Sequence, residues 1–590
     1  MRSSVTATND DAPPVAAPAR LSWLDVMFLT LLPICAWAAL DINLINQDEF
    51  VDPWIYTGYG QTFESLVRVY GWPYYAIRFP VIFVNTVCCS GEAPVVGYAV
   101  LRYFLVLLAG VPLYTLAYRH FGRPAAVCAY LFLVANALFL RVLLWDLTPF
   151  VSVPAAVAGI AIWLLSDRHR WLGRFVAGAL FAASVASHVY TATAIACFLA
   201  VEIPFGLADA RRRWKLVPDL LSAALGGGAM IALGVVYFRS RAAGFDPSIL
   251  ISQNLFALRA GSAYSASHAQ PFSTWATLST FVYVPPILAG AIAASWRGQP
   301  HSSLERRIFS FFLLYCAFYL FHRFVIGSFV LETFYYFGHL TVAIVFAVPL
   351  AVALLGRAGG SPAAVAAAFS LGLLLPVVAL RVEYQRAIAF LDRSYGNGTR
   401  ITAFVIVSAV LVALIATRRL PRPAVWAAAC LVALSIQSAS LVDPAHRCVF
   451  TRARERANAQ VVTEDDVYRM AVLYARFVAR YDNPDGRVFG WYSKSEHGVF
   501  SVTFTRLGDA VNDPFEGPSM PEIGKHELDR LADPKLRYVV LLSADPQAIA
   551  RGKAALERNG ARFRLVESRR LGESVYAATA DLVEIVRPVP

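Results

Sequence analysis

Apolar residues along this chain are gathered into blocks, at approximately 24 to 44, 94 to 117, 124 to 141, 149 to 165, 173 to 187, 189 to 206, 217 to 238, 275 to 295, 308 to 326, 334 to 356, 361 to 380, 401 to 417 and 422 to 441. Most approach the roughly 20 residues with which a helix crosses a bilayer. The pattern predicts a polytopic α-helical membrane protein with about 13 transmembrane helices. A polar, Pro/Ala-rich leader, 1–22, precedes the first block without a small-residue cleavage site, so that block is expected to be a retained helix. The transmembrane region is expected over 23–441, with a long first outer loop at 46–93. From Asp443 hydropathy collapses, and 442–590 has the spacing of a soluble α/β domain. Thr463 with Asp466 resembles a capping box opening a helix to about Tyr481. Leu536 to Leu542 reads as a strand, Asp545 to Asn559 as a helix, and Arg562 to Ser568 and Ser574 to Thr579 as strands.

Charge orients this layout. The chain is 57% hydrophobic and 16% charged, with mean hydropathy +0.54 and net charge +12. From Asp443 to the end there are 22 basic and 21 acidic residues, leaving 30 against 19 for the membrane region. The excess sits in short alternate loops, among them Arg119 to Arg123, Arg168 to Arg174, Arg211 to Lys215, Arg297 to Arg307, Arg357, and Arg418 to Arg422. These are expected to be cytoplasmic, which makes the N-terminus cytoplasmic and the C-terminal domain periplasmic. The basic balance thus belongs to membrane topology, and no nucleic-acid partner is expected. Only five of the 52 basic residues are Lys, a composition suggesting a GC-rich bacterial genome and hence an inner-membrane location. Cys35, Cys128, Cys197, Cys316 and Cys430 lie in apolar blocks as small hydrophobes. Cys88, Cys89 and Cys448 lie outside them, where a disulfide between the first loop and the tail is compatible with an oxidising compartment.

Candidate chemistry concentrates in the first outer loop. Asp48, Glu49 and Asp52 follow the first block directly, within Gln47-Asp48-Glu49-Phe50-Val51-Asp52-Pro53-Trp54-Ile55-Tyr56. A carboxylate held at the bilayer edge can take a proton from a hydroxyl, its pKa set by partial burial and neighbours. The alternative is local: Asp52 before Pro53 also suits a helix N-cap with Pro at the first helical position. The loop's Trp and Tyr residues suit interfacial helices or simply an aromatic belt.

This loop resembles that of the GT-C class of integral-membrane glycosyltransferases, such as protein O-mannosyltransferases and the aminoarabinose transferase of lipid A. The shared features are an acid-rich loop after the first span, eleven to thirteen spans, a soluble outer C-terminal domain, and an Asp followed four positions later by Tyr, matched by Asp52 and Tyr56. Asp48 and Glu49 compete with Asp52 for that alignment. The resemblance implies inverting transfer of a sugar from a polyprenyl-phosphate donor to a lipid, glycan or protein acceptor at the periplasmic face. It implies an acid of this loop as base, Asp146 as a second acid, and Arg78 as the cation on the departing phosphate, with Arg323 the second choice. Asp146 is equally compatible with capping the fourth span, and Arg78 with an Arg snorkelling to the interface.

Glu332, Tyr336 and His339 place an acid, an aromatic ring and an imidazole at the mouth of the tenth span, to line a sugar or prenyl chain or to join the aromatic belt. His188, a lone His between two spans, reads as a packing residue, and Gly226-Gly227-Gly228 as a site of close helix approach. No cofactor is required by any motif, and no metal ligands are assigned, although three nearby carboxylates permit a divalent ion. The rival function is a transporter or flippase of a lipid-linked saccharide. It would place charges at mid-membrane on broken helices, whereas these acids lie at the outer edge and the blocks are nearly free of ionisable residues.

Overall fold

The computed structural model describes residues 21–40, 71–89, 94–144, 149–166, 170–209, 213–242, 244–256, 284–296, 301–327, 338–359, 361–381, 455–457, 460–462, 487–493, 519–520, 536–543, 546–558, 562–571 and 578–586, together with isolated positions such as Tyr56, Tyr59, Gly60, Phe63, Val67 and Tyr336. The helices are α1 (Trp23–Leu40), α2 (Phe79–Cys89), α3 (Pro94–Phe121), α4 (Arg123–Ala135), α5 (Ala137–Leu144), α6 (Pro149–Leu165), α7 (Arg170–Ser187), α8 (Thr191–Ala208), α9 (Arg213–Arg241), α10 (Val284–Trp296), α11 (Ser303–Phe324), α12 (Thr341–Gly359) and α13 (Pro362–Arg381), with α14 (Pro546–Arg558) near the end of the chain. Among the described residues four stretches are long and apolar enough to cross a membrane: Val96–Phe121, Thr191–Ala208, Arg213–Arg241 and Gly338–Gly359. Shorter apolar helices include Trp23–Ala38, Arg123–Ala135, Pro149–Leu165 and Val284–Trp296. The expected blocks at 401 to 417 and 422 to 441 lie outside the described residues, apart from Trp426, Ala427, Ala429 and Cys430.

Local chemistry explains the helix ends. Ser22 and Asp25 cap α1 reciprocally, the Ser22 N–H donating to Asp25 Oδ2 at 2.9 Å and the Asp25 N–H to Ser22 Oγ at 3.3 Å. Asp25 then receives the Tyr114 hydroxyl of α3 at 2.7 Å and pairs with Arg123 of α4 at 3.1 Å, fixing the start of α1 against its neighbours. The block at 124 to 141 is two helices, not one. Asn136 ends α4 by donating its N–H to Phe132 O at 2.9 Å, and its Oδ1 accepts the Phe139 N–H at 3.3 Å to open α5.

The apolar sequence of α12 runs all round the helix, and the helix is buried from Thr341 to Gly356, packed against α4, α10, α11 and α13. By contrast α9 lies on the outside, with Leu221, Leu225, Ile231, Leu233 and Val236 exposed. It rides directly on α7, because a Cβ at Gly226 would overlap the Phe175 carbonyl and one at Gly178 the Ala223 carbonyl. Within the triple glycine the helix contact is therefore Gly226, with Gly227 beside it, while a Cβ at Gly228 would meet nothing within 4 Å.

Contacts respect two ends. At the Arg-rich end, Arg307 donates to Glu202, Arg170 and Arg174 pair with Asp219, and Arg357 pairs with Glu305, which caps α11 through Ser302. The helices are thus less free of ionisable residues than the hydropathy pattern suggested. Glu202 and Asp219 lie within α8 and α9, and Arg102 within α3 is fully buried against Phe150, 4.5 Å from its ring. At the opposite end the first loop returns onto α2 and α9. Tyr59, Phe63, Val67, Phe79, Phe238 and Phe245 form a second apolar cluster there. Cys88 and Cys89 belong to α2 and not to open loop; Cys88 carries a free thiol, and Cys448 lies outside the described residues.

Beyond the helices, β3 (Arg487–Ser493), β4 (Ser519–Met520), β5 (Leu536–Ser543), β6 (Arg562–Leu571) and β7 (Ala578–Val586) form one mixed sheet in the order β4-β3-β5-β7-β6. β3 is parallel to β4 and β5, whereas β7 is antiparallel to β5 and β6. A small hairpin of β1 (Glu455–Ala457) and β2 (Gln460–Val462) precedes it. The last strand begins at Ala578, later than the expected Ser574 to Thr579, because its register is set by pairing Thr579 with Ser543 and with Arg570 on either side. The capping pair Thr463 and Asp466 lies outside the described residues, while Leu473 and Phe477 are helical.

Candidate functional site

Arg78 closes the short 3-10 turn Tyr74–Ile77 that leads into α2. It is not a snorkelling cation: it is 1% exposed. Its guanidinium lies 3.8 Å from the centroid of the Tyr74 ring, and Nη1 donates to the Ser187 carbonyl at 2.7 Å. Ser187 is the last residue of α7, where carbonyls lack intrahelical partners and the helix dipole is negative, so the helix end favours a cation.

The chain then turns through His188 and Tyr190 into α8, and the turn brings two imidazoles together. His188 and His339 are both buried, with ring centroids 4.6 Å apart. Burial, then His339 and then Arg78, holds the His188 pKa well below the ordinary imidazole value. His339 sits in the 3-10 turn Gly338–Leu340 that opens α12, and its Nδ1 is 3.3 Å from the Tyr336 carbonyl. The Tyr319 hydroxyl of α11 donates to the same carbonyl at 2.6 Å. Tyr190 packs its ring against Tyr336 at 5.2 Å and His339 at 5.5 Å. Arg78, His188, Tyr190, Tyr319, Tyr336 and His339 thus form one buried polar cluster at the end of the bundle opposite the Arg-rich loops.

Several sequence candidates meet here. Tyr56 is 1% exposed, and its ring contacts Tyr75 at 5.6 Å, which contacts Tyr74 at 5.8 Å beside Arg78. Its carbonyl accepts Asn85 Nδ2 of α2 at 3.5 Å, and Gly60 lets the loop lie against Asn85 where a Cβ would not fit. Tyr336 and His339 belong to the same cluster. Arg323 ends α11 with its guanidinium 6.0 Å from the Phe324 ring, and it is His322 beside it that faces Tyr190, at 6.1 Å. Asp48, Glu49, Asp52, Asp146 and Glu332 lie outside the described residues. Among the described residues no group of three His, Cys, Asp or Glu is placed to hold a metal ion.

His188, expected as a packing residue, lies within this cluster beside Tyr190, and Arg102 is a further buried cation of the bundle. A lone Arg inside an apolar block was a legible signal for Arg102, since burying a charge is costly. Chemically, the cluster sets a permanent cation beside two imidazoles and several hydroxyls, a set suited to an oxyanion.

No family model and no curated protein matches the chain. Solved structures align with most of it at low identity. ArnT from Cupriavidus metallidurans bound to undecaprenyl phosphate is 14% identical with a TM-score of 0.46, covering 95% of this chain and 98% of that one. The oligosaccharyltransferase of Archaeoglobus fulgidus in the apo form is 16% identical with a TM-score of 0.45, covering 88% of this chain and 70% of that one. ArnT is the lipid A aminoarabinose transferase, and both are glycosyltransferases of the GT-C class, the class that the first outer loop resembles in sequence.

Proposed function

We propose that this chain is a glycosyltransferase of the bacterial inner membrane that transfers a sugar from a polyprenyl-phosphate carrier to a lipid, glycan or protein acceptor at the periplasmic face. The observation that carries the reading is Arg78, a buried cation held by a helix-end carbonyl and a tyrosine ring in the loop that also bears Asp48, Glu49 and Asp52. In this mechanism the acceptor oxygen attacks the anomeric carbon from the face opposite the phosphate and inverts it. A first-loop carboxylate, Asp52 by the Asp52 and Tyr56 spacing, takes the acceptor proton, and Asp146 assists as a second acid. The electron pair of the breaking carbon–oxygen bond stays on the phosphate, whose growing charge faces Arg78. Tyr56, Tyr336, His339 and Glu332 line the donor, and Arg323 lies further out. Domain 442–590 is periplasmic and the N-terminus cytoplasmic, in accord with the segregation of loop arginines to one end.

The test uses the full chain in lipid nanodiscs with radiolabelled polyprenyl-phosphate sugars, comparing wild type with Asp52→Asn, Asp48→Asn and Arg78→Gln. Removing a preorganised group from a developing oxyanion lowers turnover by about 10²–10³-fold, and that loss is expected for Arg78→Gln. Full transfer by all three variants overturns the site. Absence of polyprenyl phosphate release from every donor, with the lipid-linked sugar instead crossing a vesicle intact, overturns the enzyme in favour of a flippase.

A further inference from the structure

The His188 and His339 pair has no role in the mechanism above beyond lining, yet its chemistry matches a charge change that the reaction must undergo. The donor is a phosphodiester with a single negative charge. As the acceptor oxygen bonds to the anomeric carbon, the bond from that carbon to the phosphate oxygen breaks and its electron pair stays on the phosphate. The product is a monoester whose second ionisation lies near pH 6, so above that pH it carries up to one more negative charge than the donor. The acceptor proton is released in the same turnover. Arg78 is charged throughout and cannot respond to the difference by titrating. Two imidazoles can.

We infer that His188 and His339 act with Arg78 as a proton-accepting clamp on phosphate, which takes up a proton when it holds the free polyprenyl phosphate and none when it holds the sugar-linked diester. The inference rests on the proposed glycosyltransferase reading, and it makes the pair positioning residues for the leaving phosphate.

The geometry supports it in three respects. Arg78 is hydrogen-bonded to the residue preceding His188, so the guanidinium and the pair share one end of α7. The rings lie 4.6 Å apart at an interplanar angle of 37°, close enough that one proton serves the pair and the second is strongly opposed. Both rings are buried, and burial, His339 and Arg78 together hold the His188 pKa down, so a second negative charge on the phosphate is what favours a proton there. Among the described residues, the titratable and charged groups that face the pair include Arg78, Tyr190, Tyr336 and Tyr319, with Tyr315 and His322 beyond Tyr190, while Glu202, Arg307, Arg357 and Arg174 on the same helices are paired at the opposite end. Arg141 is the ionisable residue of α5, which also packs on the turn carrying His339.

The experiment is calorimetric titration of the full chain in nanodiscs at pH 7.5, in two buffers of different ionisation enthalpy. The ligands are a polyprenyl phosphate and a polyprenyl methyl phosphodiester. Wild type is expected to take up close to one proton on binding the monoester and none on binding the diester. Monoester affinity then strengthens about tenfold per unit as pH falls from 8.5 towards 7. His188→Gln keeps diester binding and loses the uptake, His339→Gln loses the uptake, and Arg78→Gln weakens both ligands. Monoester binding by wild type without proton uptake overturns the clamp and leaves the enzyme reading standing, as does uptake that persists in both Gln variants, where the phosphate itself is the acceptor. Failure of wild type to bind either lipid phosphate overturns the glycosyltransferase reading and the clamp with it. Where one Gln variant does not fold, absence of uptake in wild type still overturns the clamp, and the other variant tells uptake by the pair from uptake by the phosphate.

Discussion

Arg307 of α11 places Nη1 2.9 Å from both carboxylate oxygens of Glu202 on α8, and Glu202 Oε2 also accepts Trp163 Nε1 of α6 at 3.1 Å. Both ionic side chains are over nine-tenths buried, so each compensates the other's charge where water does not. Removing one partner of such a pair costs about 3–5 kcal/mol, while replacing both by apolar side chains is near neutral. Thermal inactivation in detergent is therefore expected to be much faster for Glu202→Leu or Arg307→Met than for the double variant. Equal losses in all three would mean that the pair acts by packing alone.

The same comparison within one triplet tests the seam between α7 and α9. A Cβ at Gly226 meets backbone at Phe175, whereas nothing lies within 4 Å of one at Gly228. Overpacking a close contact costs about 1–3 kcal/mol or more. Gly226→Val is expected to lower the yield of folded protein sharply and Gly228→Ala to leave it unchanged, read by size-exclusion chromatography of solubilised protein.

At the start of α1, the Tyr114 hydroxyl donates to the Asp25 carboxylate at 2.7 Å. Hydrogen bonds to charged groups contribute about 1.5–3 kcal/mol. Tyr114→Phe is expected to lower the apparent Tm by that equivalent, and less so when Asp25 is already Asn, because the acceptor is then neutral. Additive losses in the double variant would deny the bond its coupling.

The depressed pKa of His188 gives ligand-free protein a pH dependence of definite sign. Between its folded pKa and the unfolded value of about 6.5, the unfolded chain binds a proton that the folded chain does not. Stability from this group is complete above about pH 6.5 and falls by up to about 1.4 kcal/mol per pH unit below it. The Tm of wild type is expected to drop on acidification from pH 7 to 5 more steeply than that of His188→Gln. Parallel curves would show that His188 does not carry the effect.

The amino-acid sequence by itself determined where helices form, because a bilayer-length apolar run and a capping side chain act locally. Ser22 with Asp25 and Ser302 with Glu305 cap their helices from three residues away. Asn136 acts just as locally, yet the run of apolar positions from 124 to 141 reads as a single block, and its division into α4 and α5 came from the structure. The part of the site borne on one segment, Tyr56 and Arg78 in the first loop, was legible too. Tertiary structure decided what depends on distant pairing: Arg78 against Ser187, His188 against His339, Glu202 against Arg307, and Thr579 between β5 and β6. A lone His or Arg in an apolar run looks the same whether it snorkels, packs or binds. Its charge state and chemistry follow from burial and from the partner that another helix brings within a few ångströms, and neither is encoded in local spacing.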